Sequence, residues 1–236
     1  VKHGKGVYTY KNGDSYNGEY KDDKKNGNGV LAYQNGDIYY GNWKNNLKNG
    51  KGKFTHKNGN FYHGTYLKGK PDGIGIYSYG DVEKYEGEWV NGLFEGSGKY
   101  TFINGSRYNG YWLKGLRHGQ GKITYQSNGS EYEGEWSNGF KNGIGKYIYV
   151  NGDVYNGGWQ NGKMQGEGTF KYSNGNEYIG NFENGKRSGE GTFNYINGDK
   201  YSGSWKDGKR FGNGSFLYAN GNSQIGVWED GRILTE

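Results

Sequence analysis

A tyrosine returns every 23 residues along this 236-residue chain. Tyr16, Tyr39, Tyr62, Tyr85 and Tyr108 follow one another at that spacing. Ser127 adds one residue, and the series resumes at Tyr132, Tyr155, Tyr178 and Tyr201, with Gln224 in the next place. A period of this size means stacked copies of one small supersecondary unit, none of which can bury an apolar face alone. Two residues after each of these positions stands a glycine: Gly18, Gly41, Gly64, Gly87, Gly110, Gly134, Gly157, Gly180, Gly203 and Gly226. Two residues later comes an aromatic. All seven tryptophans fall there (Trp43, Trp89, Trp112, Trp136, Trp159, Trp205 and Trp228), and Tyr20, Tyr66 and Phe182 hold the other places. A G-x-G pair recurs in every unit, from Gly4 and Gly6 to Gly212 and Gly214.

Each unit reads as a β-hairpin. Asn-Gly lies four residues before nine of the repeat positions, from Asn12-Gly13 to Asn220-Gly221. That dipeptide predicts a two-residue turn with both residues at φ > 0. The flanking segments alternate with period two, as strands do. Gly50, Gly52, Phe54 and His56 share a face with Tyr62, Gly64 and Tyr66, while Lys51, Lys53, Thr55, His63 and Thr65 take the other. Glycine within a strand admits a close approach, so rings from neighbouring hairpins are expected to lie over these glycines. The result is a structural aromatic seam carrying the seven tryptophans.

The predicted fold is all-β: an elongated single-sheet array of about ten stacked antiparallel hairpins, a solenoid-like rod. About twenty strands at ~4.8 Å spacing make it ~95 Å long. The array is expected to run continuously over 1–236, with units beginning near 16, 39, 62, 85, 108, 132, 155, 178, 201 and 224 and partial units at both ends. Composition agrees only when read through the repeat. With 49 Gly and 31% hydrophobic residues the chain resembles a disordered one, but 25 Tyr, 10 Phe and 7 Trp do not fit disorder. The absence of cysteine excludes disulfides and thiolate chemistry and fits a reducing compartment. No apolar run approaches a membrane span, and the first residues do not read as a signal peptide. The net charge of +6 is dispersed.

The unit Y-x-G-E-W-x-N-G-x-x-x-G-x-G, seen at Tyr85–Gly98 and Tyr132–Gly145, resembles the MORN (membrane occupation and recognition nexus) repeat. The resemblance extends over the whole chain. Chains made of nothing but this repeat include a cytoskeletal scaffold of apicomplexan parasites. The resemblance therefore implies a scaffold of the cell-division or basal-complex cytoskeleton, dimerising through its C-terminal repeats and binding cytoskeletal proteins. It also implies a cytoplasmic location, extending to the inner face of a membrane. Other members join membranes or carry a lipid kinase or methyltransferase domain. Gly80-Asp81-Val82 replaces the usual tip, Asp22-Asp23-Lys24-Lys25 alters a loop, and Ile225 and Val227 depart from the last unit. Val1-Lys2-His3-Gly4 begins in mid-repeat, as in a piece cut from a longer array.

No catalytic, cofactor-binding or metal site is expected. The histidines are His3, His56, His63 and His118, with no repeat-specific nucleophile beside them. His56 stands where other units carry Tyr and reads as a seam residue. Only across an oligomer interface could His3 or His118 meet a metal. Glu86/Glu88 and Glu133/Glu135 read as solvated strand residues rather than acid–base pairs. The sequons at Asn104, Asn128 and Asn213 coincide with the turn and strand pattern. Nucleic acid is not expected as a partner, because the rings are committed to the seam.

Two interaction sites are expected. An anionic phospholipid headgroup would meet the loop cations Lys114, Arg117, Lys186, Arg187, Lys209 and Arg210. A homodimer interface would use the aliphatic C-terminal end: Phe211, Phe216, Leu217, Ile225, Val227, Trp228, Ile233 and Leu234. The bland alternative for that end is a terminus capped by Arg232–Glu236. The leading function is a non-enzymatic cytoskeletal scaffold. The alternatives are a phospholipid- or phosphoinositide-binding membrane–cytoskeleton tether and a targeting fragment of a larger enzyme.

Overall fold

The computed structural model describes residues 1–234, so the last two residues of the expected Arg232–Glu236 cap lie outside the described residues. The chain divides into two units, residues 1–116 and 117–236. The first holds β1 (Gly4–Thr9), β2 (Ser15–Lys21), β3 (Lys24–Ala32), β4 (Ile38–Lys44), β5 (Leu47–Thr55), β6 (Phe61–Leu67), β7 (Lys70–Tyr79), β8 (Glu83–Val90), β9 (Leu93–Thr101) and β10 (Arg107–Leu113). The second holds β11 (Leu116–Thr124), β12 (Glu131–Ser137), β13 (Phe140–Ile148), β14 (Val154–Gln160), β15 (Lys163–Lys171) and β16 (Glu177–Glu183). It continues with β17 (Lys186–Asn194), β18 (Lys200–Lys206), β19 (Lys209–Leu217), β20 (Ser223–Glu229) and β21 (Arg232–Ile233). Within each unit every strand pairs antiparallel with the next in the chain. The reading as stacked antiparallel hairpins is borne out, and no helix is found among the described residues.

The turns are a partial correction. At the Asn-Gly tips only the glycine has positive φ, as at Gly36 (94°). The Gly36 amide donates to Tyr33 O at 2.9 Å and the Tyr33 amide to Asp37 O at 2.9 Å. The tip is thus a three-residue loop, a type I turn closed by a left-handed glycine. The two-residue turns with both φ positive lie on the other edge, as at Asn161 (48°) and Gly162 (81°), flanked by the pair Gln160↔Lys163. At Gly80–Val82 pairing runs on to Tyr79↔Glu83, so that tip is built differently, as its sequence implied.

The two glycines of G-x-G have different jobs. In β15, Gly166 has φ 73° and lies in a bulge where the register shifts between Gly157 and Trp159. Gly168 pairs with Gly157, and the Tyr155 ring lies across both. A Cβ on Gly168 would stand 2.6 Å from that ring, and one on Gly157 would stand 2.5 Å from the Cα of Gly168. Around the Asn-Gly tips, Tyr155 and Gly157 belong to one hairpin and Gly168 to the next. The expectation that neighbouring rings cover the glycines therefore holds for Gly168, whereas Gly157 is covered by its own strand.

The core is a ladder of rings on one face. In the first unit Tyr16, Trp43, Tyr39, Tyr66, Tyr62, Trp89, Tyr85 and Trp112 meet edge to face in succession, with centroids 5.0–5.5 Å apart. In the second unit Trp136, Tyr132, Trp159, Tyr155, Phe182, Tyr178, Trp205, Tyr201 and Trp228 do the same at 4.9–5.3 Å. Each such contact adds about 0.5–1.5 kcal/mol beyond area burial. Most polar handles are satisfied, as where Tyr155 Oη donates to Gly158 O at 2.9 Å and Trp159 Nε1 to Gly145 O at 3.0 Å, whereas the buried Tyr66 hydroxyl has no partner among the described residues.

Both edges are also laced from repeat to repeat. At the tips, Asp37 Oδ1 accepts the Lys57 amide and Asp153 Oδ1 accepts the Ser173 amide, at 2.9 and 2.7 Å. At the other edge each turn glycine donates to a carbonyl of the preceding turn, as Gly69 does to Lys48 O and Gly208 to Arg187 O.

Candidate interaction surfaces

The ring ladder is overlaid by cations that the sequence reading largely missed. Beside most of the two-residue turns, one side chain points onto the rings. Lys25 Nζ lies 4.5 Å from the centre of Trp43, Lys48 3.9 Å from Phe54 and Lys141 4.3 Å from Trp159. The guanidinium groups of Arg117, Arg187 and Arg210 lie 4.2–4.3 Å from Trp136, Trp205 and Trp228. Each of these arginines also donates to a turn carbonyl, that of Gly139, Gly208 or Gly231, at 2.6–2.7 Å. The aromatic face is electron-rich, and a cation with a long alkyl stem both covers it and neutralises its quadrupole. Burial pushes the amines of Lys48 and Lys141 down to about 8.

This sorts the six expected headgroup ligands. Arg117, Arg187 and Arg210 are committed to rings and carbonyls of their own chain. Lys186 and Lys209 reach Asp207 and Asp230 at 2.9 and 3.0 Å. Lys114 is an exposed turn residue with φ 50°, its amide held by Glu95 Oε2 at 2.9 Å. Lys186, Arg187, Lys209 and Arg210 do come together on one edge of the second unit, interleaved with those two aspartates.

The eight expected interface residues also divide. Phe216 and Trp228 are buried within the ladder. Ile233 pairs opposite Trp228. Ile225 is 80% exposed, and Val227, Leu217, Leu234 and Phe211 are exposed as well. Ile225 and Val227 alternate with Trp228 along β20, and Leu217 follows Phe216 in β19, so these three lie on the face opposite the rings. The Leu234 amide donates to Val227 O at 2.8 Å, which brings Leu234 beside them.

That opposite face also carries a groove of about 710 Å³ in the second unit, crossing β14 to β18 over the glycine pairs. Asn156, Thr169, Ile179, Thr192 and Ser202 form one wall, and Glu167, Asn181 and Glu190 stand on the other. The remaining sequence candidates have structural roles. Glu88 and Glu135 accept the amides of Ser97 and Ile144 at 2.9 and 3.0 Å, capping bulges, and Glu86 reaches Lys84 at 3.1 Å. His56 packs against Phe54 with ring centres 4.8 Å apart and meets Tyr77 Oη at 3.3 Å, as a seam residue should. Asn104 and Asn128 turn their carbonyl oxygens onto the amides of Ser106 and Ser130 at 3.0 Å, closing their own tips.

A family model described as "MORN repeat" matches ten segments: 1–15, 16–38, 39–61, 62–81, 85–107, 108–130, 132–154, 155–177, 178–200 and 201–223. No curated protein sequence matches the chain. Among solved structures, the TCP10 domain of Danio rerio CPAP in complex with a peptide of Danio rerio STIL is similar in fold. It is 12% identical with a TM-score of 0.51, covering 98% of this chain and 97% of that one. The SAS-4 (dCPAP) TCP domain of Drosophila melanogaster, in complex with a proline-rich motif of Ana2 (dSTIL), is 11% identical. It has a TM-score of 0.37, with 95% and 90% coverage, too low to support more.

Proposed function

Because the chain belongs to the MORN-repeat family, we propose that it is a non-enzymatic scaffold that holds protein partners on the face opposite its ring ladder. The carrying observation is a division of labour between the two faces. Rings and cations of one face are spent on joining repeat to repeat, while the other leaves a broad groove and exposed aliphatic side chains. The peptide bound to the similar Danio rerio domain supports docking of partner segments. The setting is the cytoplasmic cytoskeleton of an apicomplexan parasite, in its cell-division or basal complex, a reading supported by the resemblance to scaffolds built of this repeat. The scaffold pairs through its C-terminal repeats as a two-fold homodimer, with Leu217, Ile225, Val227 and Leu234 as its contact patch.

Light scattering and small-angle X-ray scattering test this on the chain, on a form ending near Tyr201 and on the Ile225→Asp/Val227→Asp variant. The expected result is an elongated dimer for the chain and a monomer for both altered forms. A native monomer at tens of micromolar, or a compact particle, would remove the homodimeric rod.

A second reading, membrane attachment, is favoured by the convergence of Lys186, Arg187, Lys209 and Arg210 on one edge. Since the two arginines hold rings, only Lys186→Glu and Lys209→Glu test it without damaging the fold. Pelleting with phosphoinositide vesicles at low salt that these changes abolish would establish lipid contact. The scaffold reading expects no pelleting.

A further inference from the structure

Two pockets, one in each unit, are built from the same positions of the repeat. In the second unit the pocket is lined by Arg187, Phe193, Tyr195, Trp205, Gly208 and Arg210. In the first unit the corresponding residues are Pro71, Tyr77, Tyr79, Trp89, Gly92 and Phe94, around about 320 Å³. The equivalence is visible in the backbone. The Gly208 amide donates to Arg187 O at 2.9 Å, and the Gly92 amide donates to Pro71 O at 2.8 Å. Arg187 pairs across the sheet with Phe182, and Pro71 with Tyr66.

What differs is the cation. In the second unit the Arg187 guanidinium lies 4.3 Å from Trp205 and 5.3 Å from Phe193, and donates to Gly208 O at 2.6 Å. Pro71 has neither charge nor donor, and Phe94 stacks on Tyr85 at 3.8 Å. The first pocket therefore keeps the rings and the equivalent Gly92 carbonyl, and among the described residues no cation lies on Trp89, whose ring packs edge to face with Phe94 at 4.8 Å. Tyr77 and Tyr79 have closed to 4.1 Å, against 4.6 Å for Phe193 and Tyr195. Trp89 itself is 4% exposed, so an incoming group meets the half-buried Tyr77, Tyr79 and Phe94 first.

We propose that this pocket seats an arginine side chain of a partner protein. Its guanidinium stacks on the Tyr77 and Phe94 rings beside Trp89 and donates to Gly92 O, while its methylenes lie against Pro71 and Leu93. Arginine is favoured over lysine because its planar fork stacks and donates at once, as it does three times in the second unit. The inference adds to the docking reading above a separate partner contact, on the ring face of the first unit, and does not use the groove of the opposite face. Its failure would be distinct, since the solution mass of the homodimer does not depend on it.

The test is a titration of the ¹⁵N-labelled chain with the peptide acetyl-Gly-Gly-Arg-Gly-Gly-amide, followed by the indole N–H signals. The control peptide carries citrulline, which keeps the shape and loses the charge. The arginine peptide is expected to shift the Trp89 signal, with a smaller shift at Trp112, which packs on Phe94, and to leave the other five tryptophans in place, with the citrulline peptide about ten-fold weaker. Pro71→Arg, which gives the first pocket the side chain the second already holds, is expected to abolish the response. The five indole signals other than those of Trp89 and Trp112 report whether that variant is folded. Equal binding of the citrulline peptide, an unmoved Trp89, or a Pro71→Arg chain that still responds would each overturn the proposal. The first of these would point instead to an apolar occupant.

Discussion

Tyr155→Ala is expected to remove about 3–5 kcal/mol of local stability, and Gly168→Ala a comparable amount, but the two losses should not add. Tyr155 is 0% exposed, touches Trp159 and Phe182 edge to face, and covers Gly157 and Gly168. Removing it leaves a cavity between two repeats. A methyl on Gly168 collides with that same ring, so in a Tyr155→Ala background the collision disappears and the added cost of Gly168→Ala should fall below ~1 kcal/mol. Gly157→Ala should stay costly in both backgrounds, because its methyl meets the Gly168 Cα and the Glu167 carbonyl as well as the Tyr155 hydroxyl, and the two backbone collisions remain when the ring is gone. Hydrogen exchange is the suitable measurement, since a stacked array opens in segments. Protection should fall in β14 to β16 and persist in β2 to β6. Additive losses for Tyr155 and Gly168 would contradict the ring-over-glycine geometry.

Stability is expected to peak in mild alkali and collapse above pH 10. Burial lowers Lys48 and Lys141 to about 8. Between pH 8 and 10.5 the unfolded chain therefore binds protons that the folded chain does not, and stability rises with pH. Both amines are partly exposed, so the gain is about 1 kcal/mol each. The tyrosines act in the opposite direction. Burial pushes Tyr16 up to about 12 and Tyr39, Tyr62, Tyr85, Tyr155 and Tyr178 further still. Above pH 10 the unfolded chain loses phenol protons that the folded chain keeps, at up to ~1.4 kcal/mol per tyrosine per pH unit. Urea denaturation at constant ionic strength should show a maximum near pH 9–10. In Lys48→Met/Lys141→Met the rise below pH 10 should vanish and the fall above it remain. A rise that survives in that variant would rule out the two buried lysines as its source.

The periodic tyrosines and the alternating faces made the stacked hairpins legible, because both follow from backbone geometry that a sequence carries directly. The turn types were less legible. Asn-Gly suits a two-residue turn and a three-residue bulged loop alike, since both need a left-handed glycine. The difference lies in whether Tyr33 pairs with Asp37, and that depends on register. The cations over the rings were not legible as such. Lys25, Lys48 and Arg187 look like ordinary loop charges beside their turns, and Trp43, Tyr66 and Trp205 beneath them arrive only with the next repeat. For the same reason Arg117, Arg187 and Arg210 drew a surface role from sequence while the structure commits them to rings. Phe216 was read as a terminal apolar residue, and Trp228 both as a seam ring and as an end residue, although the repeat position of each already placed it among the rings.

Because within each half every strand pairs with its neighbour in the chain, each hairpin can form as fast as it leaves the ribosome. Only two to four residues must close each turn, so there is no distant strand to wait for and little loop entropy to overcome. A tyrosine such as Tyr16 is sealed only when Trp43 of the next repeat arrives. Folding should therefore trail synthesis by about one repeat, and a stalled nascent chain should be structured up to its penultimate unit and loose in its last.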